Sequence, residues 1–365
     1  MRGDIAHSKR IVVKIGTNLL SDRSGIDSKR IEELVLDIVN LQKKGVQVLL
    51  VSSGAIGLGA KELGKKGAVK AVAMRQACAS IGQPILMSHY RSAFSRHQIV
   101  CSQILITRSE MNNRKTFVNL KNSVQTLLEL GVVPIFNEND AVSTAEIGTA
   151  FGDNDRMSAL VASKIDAQLL IILTDIDGLY TGDPKKKNSA RLVSEVEKID
   201  ATIIGYAGKA GSTFSTGGMK TKLLAAKIAA NAGCATIIAS GYEEQILSRL
   251  LAGQQLGTYI PAEKKLKERS RWILNSQTQG CIRIDEGAVQ ALRNHKSLLP
   301  SGIVHVEGFF QAGEVVMIND VAKAVPYYNS EQVAAMAGSR SKDLANGKAL
   351  VIFRPEDIVF LDHDE

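Results

Sequence analysis

The sequence holds no apolar run near the roughly 20 residues that a membrane-crossing helix needs, so no such helix is expected. Its first apolar run, 11–13, is broken at once by Lys14 and Gly16. That is not the build of a secretory leader, and a cytoplasmic location with no membrane association is the expectation. Cysteine is scarce. Cys78, Cys101, Cys234 and Cys281 lie far apart and form no Cys-x-x-Cys pair, which points to free thiols rather than a disulfide framework. The histidines form no His-x-x-x-His or Glu-flanked pair, so a zinc signature is missing too.

What is present is an ordinary globular composition, 45% apolar and 22% charged over 365 residues. That length leaves room for one to three domains. The net charge is +8, unevenly spread: residues 276–365 carry 8 Lys/Arg against 12 Asp/Glu, and residues 1–275 carry 37 against 25. A basic main body suits an anionic ligand such as a nucleotide, and equally a lysine-rich solvated surface.

Apolar runs at 11–15, 46–51, 99–107, 132–136, 168–173, 235–239 and 257–260 read as strands. Helical patterns fall between them at 26–44, 68–98, 116–130, 155–165 and 223–232, with a cap at Asp27 or Ser28 and a break near Gly82 and Pro84. This alternation predicts an α/β fold with a mainly parallel sheet covered on both faces. A charged stretch at 261–278 reads as a linker after a main domain over 1–260. Beyond it, short apolar runs at 281–284, 303–306, 315–318, 350–353 and 358–361 alternate with turns, with one helix at 287–294. They predict a small, mostly β module over 279–362.

The densest polar chemistry lies in 134–155, where an apolar strand gives way to Asn137, Asn139, Asp140, Asp153, Asn154 and Asp155. The carboxyl end of a buried strand is where open α/β sheets bind ligands. Lys14, inside an apolar strand, needs an anionic partner or a cleft unless it reaches water from an edge. Ser-Ser-Gly-Ala-Ile (52–56) lets backbone N–H groups approach an anion. The Gly/Lys-rich segment 59–67 lacks the Ser/Thr of a Walker loop and reads as a turn. Thr174 and Asp175 open a polar loop suited to a base and ribose. In Thr-Gly-Gly-Met-Lys-Thr-Lys (216–222), glycines expose N–H groups at a helix start. Lys220 and Lys222 sit in that first turn, where the dipole disfavours cations, so an anion nearby is expected.

Six motifs stand in order: Val-Val-Lys-Ile-Gly-Thr (12–17), Ser-Ser-Gly-Ala-Ile (52–56), Asn-Glu-Asn-Asp-Ala-Val (137–142), Phe-Gly-Asp-Asn-Asp (151–155), Leu-Thr-Asp (173–175) and Thr-Gly-Gly-Met-x-Thr-Lys (216–222). Together they resemble the glutamate 5-kinase family, a branch of the amino-acid kinases. Segments 285–288, 297–303 and 313–315 resemble PUA elements. The resemblance implies a three-layer αβα amino-acid kinase fold followed by a PUA pseudo-barrel. It implies ATP-dependent phosphorylation of the γ-carboxylate of L-glutamate, the first step of proline synthesis, with Mg2+ carried in on ATP and no metal site in the protein itself. Carried over, Lys14 and Lys222 contact phosphates and Asp155 orients both. Thr174, Asp175, Thr216, Gly217, Gly218, Met219, Lys220, Thr221 and Lys222 bind ATP, and Ser53, Asp140 and Asn154 hold glutamate. Glycine N–H groups at 16, 54 and 217–218 add positive charge. Charge complementarity assigns the substrate ammonium to Asp140 and its α-carboxylate to Asn154 and Ser53. Inhibition by proline, homo-oligomerisation and channelling to glutamate-5-semialdehyde dehydrogenase are further implications. Departures are small: Ser52 stands where Thr is common, and Arg156 follows the Asp-Asn-Asp. Two other readings compete. One is a kinase of the same fold for aspartate, N-acetylglutamate, carbamate or UMP. The other is an RNA-binding or regulatory protein acting through the PUA module, which the acidic tail disfavours.

Overall fold

The computed structural model describes residues 2–20, 26–65, 67–107, 110–111, 114–142, 154–184, 190–208, 218–339 and 350–361. The chain forms two units, Met1–Lys265 and Leu266–Glu365. In the first, β1 (Arg10–Ile15) leads to α1 (Thr17–Leu20), α2 (Ser28–Lys43), β2 (Gln47–Val51), α3 (Ala55–Glu62), α4 (Val72–Ser95), β3 (Cys101–Ile106), α5 (Arg114–Glu129) and β4 (Val133–Glu138). There follow α6 (Asn154–Lys164), β5 (Leu169–Thr174), α7 (Ala201–Gly208), α8 (Met219–Ala230), β6 (Ala235–Ser240), α9 (Ile246–Leu251) and β7 (Thr258–Ile260). The strands form one sheet in the order β3-β4-β2-β1-β5-β6-β7. All its pairings are parallel except that of β7 with β6. The chain runs outward from β1 through β2 to the β3–β4 edge, then returns to β5 on the other side of β1. Loops at the carboxyl ends part at such a reversal and open a crevice.

Both faces of this sheet are buried, so its strands are apolar on both sides. On β1, Ile11, Val13 and Ile15 enter a core shared with α2, α4 and α9. Val12 enters a second core shared with α5, α6 and α8. Side chains alternate along a strand, so Lys14 falls on the α6 and α8 face, at the strand's carboxyl end.

Asp27 caps α2 by accepting from the Arg30 N–H at 2.9 Å. The expected helix break does not occur: α4 runs unbroken through Gly82 and Pro84. A Cβ on Gly82 would stand 1.8 Å from the Ala55 carbonyl oxygen, and one on Gly59 1.8 Å from that of Cys78. Gly82 therefore serves the close packing of α3 on α4, and that packing outweighs the hydrogen bond Pro84 cannot make. The turn read at 59–67 is in part helix, since α3 extends to Glu62.

The second unit comprises α10 (Glu268–Asn275), β8 (Gly280–Ile284), α11 (Glu286–Arg293), β9 (Ile303–Gly308), β10 (Val316–Ile318), β11 (Ala322–Ala324), α12 (Ser330–Met336) and β12 (Ile358–Phe360). Its sheet runs β12-β11-β10-β8-β9 over a core containing Ile282, Phe310, Val316 and Phe353. The apolar run at 350–353 makes only a bridge between Leu298 and Phe353, not a strand. The pattern missed α12, which a capping box at Asn329 and Gln332 starts. The charged stretch 261–278 contains α10, which buries Arg271 and Ile273 and pairs Arg269 with the buried Asp357.

Candidate active site

A cavity of about 320 Å³ opens at the carboxyl ends of β1, β2, β4 and β5. Lys14, Ser53, Asp140, Asn154, Thr174, Asp175 and Lys222 all line it. Residues scattered along the sequence thus share one chamber, as the sheet reversal requires.

Asp155, which does not itself line the cavity, joins the two lysines that do. Its Oδ1 lies 2.6 Å from Lys14 Nζ and its Oδ2 lies 3.0 Å from Lys222 Nζ. The Thr221 hydroxyl donates to the same Oδ2 at 2.9 Å. Asp155 is 0% exposed, Lys14 7% and Lys222 4%, so Lys14 is a buried, paired cation and not one that snorkels from an edge. Asp155 occupies the first turn of α6, where the helix dipole favours an anion. Lys222 sits against the dipole of α8, and Asp155 is the anion that compensates it. Burial alone would raise the Asp155 carboxyl; the Lys14 and Lys222 charges outweigh that and hold it below the ordinary carboxylate range. Two cations on one anion leave a net positive charge, suited to phosphate or carboxylate.

The polar wall is built by loops. Gly54, at φ +105°, turns the chain from β2 into α3, a conformation that L side chains rarely adopt. Asn154 Nδ2 donates to the Ser52 carbonyl at 2.6 Å and to Ser53 Oγ at 2.9 Å, tying α6 to this turn. Burial raises the Asp140 carboxyl above its ordinary value, and the Arg75 charge only partly opposes it. Burial also pushes Asp175 up, but hydrogen bonds from Asn18 at 3.0 Å and Thr174 at 3.1 Å, with the Lys222 charge, leave it below the ordinary range.

Other anticipated residues lie elsewhere. Gly218 and Lys220 are exposed and Met219 packs into the core; none of these lines the cavity, nor does Thr221. The Gly16 N–H is not open to a ligand, because it donates to the Leu173 carbonyl at 3.2 Å. Thr216, Gly217 and Asp153 lie outside the described residues. The cavity also takes in Asn18, Arg75 and Glu138, to which the sequence reading gave no role. Asn18 directly follows the Gly16-Thr17 pair that closes the 12–17 motif, one position beyond what that motif marked. Arg75 carried no local signal, since only the placing of α4 brings it in.

The mainly parallel sheet, its reversal and a buried lysine pair beside a cavity at the strand ends are the build of an α/β protein that handles phosphate. The model of the amino acid kinase family matches residues 9–240, and that of the PUA domain matches residues 280–347. The chain belongs to the amino acid kinase family. Within that family it is similar to curated glutamate 5-kinases. The one from Methanosarcina barkeri is 45% identical over 348 residues, covering 92% of this chain and 91% of the relative. The one from Caldanaerobacter subterraneus is 41% identical over 344 residues, covering 92% of each. Solved structures share the fold: UMP kinase from Bacillus anthracis (TM-score 0.50, 18% identity, 71% of this chain and 98% of that one) and carbamate kinase from Giardia lamblia (TM-score 0.50, 19% identity, 71% and 100%).

Proposed function

We propose that this chain transfers the γ-phosphoryl group of ATP to the side-chain carboxylate of L-glutamate, giving L-glutamyl 5-phosphate and ADP, the step that opens proline synthesis. The carrying observation is the buried Lys14–Asp155–Lys222 cluster in a cavity also lined by Asp140, Asn154 and Ser53. The name borne by relatives 40–45% identical over most of the chain supports the choice of substrate.

The nucleophile is a carboxylate with a pKa of about 4.3, already ionised at neutral pH, so no general base is required. The obstacle is that two anions must meet. Positioning and positive charge address it. Lys14 and Lys222 bring that charge, and Asp155 fixes both ammonium tips. Thr174 and Asp175, with segment 216–222, bind the nucleotide. Ser53, Asp140 and Asn154 hold glutamate.

Among the described residues no three His, Cys, Asp or Glu side chains gather as a metal cage. Mg2+ arriving on ATP phosphates needs no cage, only one or two carboxylates, and Asp175, which lines the cavity, would be the one to meet it. Bound there, the ion would neutralise phosphate charge. Proline inhibition, self-association, product transfer to glutamate-5-semialdehyde dehydrogenase and a cytoplasmic location rest on the family resemblance. No helix among the described residues is long and apolar enough to cross a membrane.

Hydroxylamine trapping tests the reaction, because it converts an acyl phosphate to a hydroxamate. ADP release should depend on glutamate and yield γ-glutamyl hydroxamate. Equal turnover with aspartate or UMP would overturn the assignment.

A further inference from the structure

Asn154 commits its whole nitrogen end to the protein. Its Nδ2 lies 2.6 Å from the Ser52 carbonyl, 2.9 Å from Ser53 Oγ and 3.1 Å from Asn137 Oδ1. A backbone carbonyl only accepts, so the atom facing Ser52 must be the nitrogen. A second fixed point agrees. The Glu138 N–H, which only donates, bonds Asn137 Oδ1 at 2.9 Å, so Asn137 turns its oxygen to Asn154. The same polarity continues away from the cavity: Asn137 Nδ2 donates to Gln83 Oε1 at 2.8 Å, and Gln83 Nε2 donates to Gln103 Oε1 at 3.1 Å. Four side-chain amides from β3, α4, β4 and α6 therefore run head to tail. Gln83, Asn137 and Asn154 are all buried. Flipping one of them would set like against like at two neighbouring contacts of the chain of amides.

Asn154 Oδ1 is what remains, an acceptor without a hydrogen-bond partner among the described residues, on a side chain that lines the cavity. Asp140, the other pure acceptor named for the substrate, lines the same cavity. An amino acid offers one group that only donates, its ammonium. We propose that Asn154 Oδ1 and Asp140 together seat the substrate ammonium, with Gln83 as the positioning residue that keeps Asn137, and through it Asn154, turned this way. This assignment deepens the reading as a glutamate kinase and rests on it. It moves Asn154 from the α-carboxylate, where charge complementarity alone had put it, to the ammonium. Ser53 Oγ accepts from Asn154 and so keeps its own proton to donate to the α-carboxylate.

Two truncated substrates separate the alternatives in the full chain. Glutarate lacks the amine; 4-aminobutyrate lacks the α-carboxylate. In Asn154→Ala and Asp140→Asn, the glutamate-to-glutarate ratio of kcat/KM should fall by about tenfold or more, while the glutamate-to-4-aminobutyrate ratio holds within about threefold. The reverse pattern overturns the ammonium seat. Gln83→Met should raise the glutamate KM by about tenfold, with kcat and the ATP KM within about threefold and glutarate unaffected. Gln83→Glu, which still accepts from Asn137, should recover the glutamate KM. If Gln83→Met lowers only the melting temperature, the residue is structural and its positioning role fails. Calorimetric titration of glutamate and glutarate into the same variants reads the seat without turnover. A chain that binds them as predicted but transfers no phosphoryl group would refute the kinase reading and leave the ammonium seat standing.

Discussion

Asp155 is one anion between two cations, and removing its charge exposes what it does. Asp155→Asn keeps the volume but leaves two buried ammonium groups facing each other. The expected loss is about 3–5 kcal/mol of stability, measured by urea unfolding. The pH dependence follows from sign. The folded-state pKa is held below the unfolded value of about 3.9, so the contribution is complete above about pH 5 and is lost as the pH falls past the unfolded value and through the folded one. The gap between wild type and variant should therefore be flat from neutral pH to about 5 and narrow in stronger acid. A gap that widened in acid would contradict this. Sequence showed Lys14 and Lys222 as breaches of local rules. It also offered Asp155 as their shared partner, but only through family resemblance. Asp155 and Lys222 stand 67 positions apart, and no local rule spans that distance.

At the scale of elements, continuous apolar runs made the strands of the main sheet legible, because a strand buried on both faces is apolar at nearly every position. The helix α4 was misread at Gly82 and Pro84 for the opposite reason. Local breaker chemistry was plain, while the partner helix that overrides it was not. The close approach of α3 and α4 has a direct consequence. Gly82→Ala puts a methyl group 1.8 Å from the Ala55 carbonyl oxygen, so the backbones must part. A loss of about 1–3 kcal/mol or more is expected in thermal unfolding. Glutamate affinity should fall with it, since Gln83 is the next residue and α4 also carries Arg75. An unchanged melting temperature would show that the helices separate without cost.

The molecule as a whole divides its labour. Each unit has its own apolar core, and every described residue lining the candidate active site belongs to the first. Residues 1–265 produced alone should fold and retain kcat/KM for glutamate within about tenfold of the full chain. Complete loss would mean that the second unit completes the site. The larger claim is that folding gathers cationic tips from opposite ends of the first unit to let two anions react. Steady-state kinetics of Lys222→Ala measure it most directly. A fall in kcat of roughly 10²–10³, with KM for ATP and glutamate changing far less, is the result for a cation acting in the transition state. An unchanged kcat with only the ATP KM raised would contradict the account.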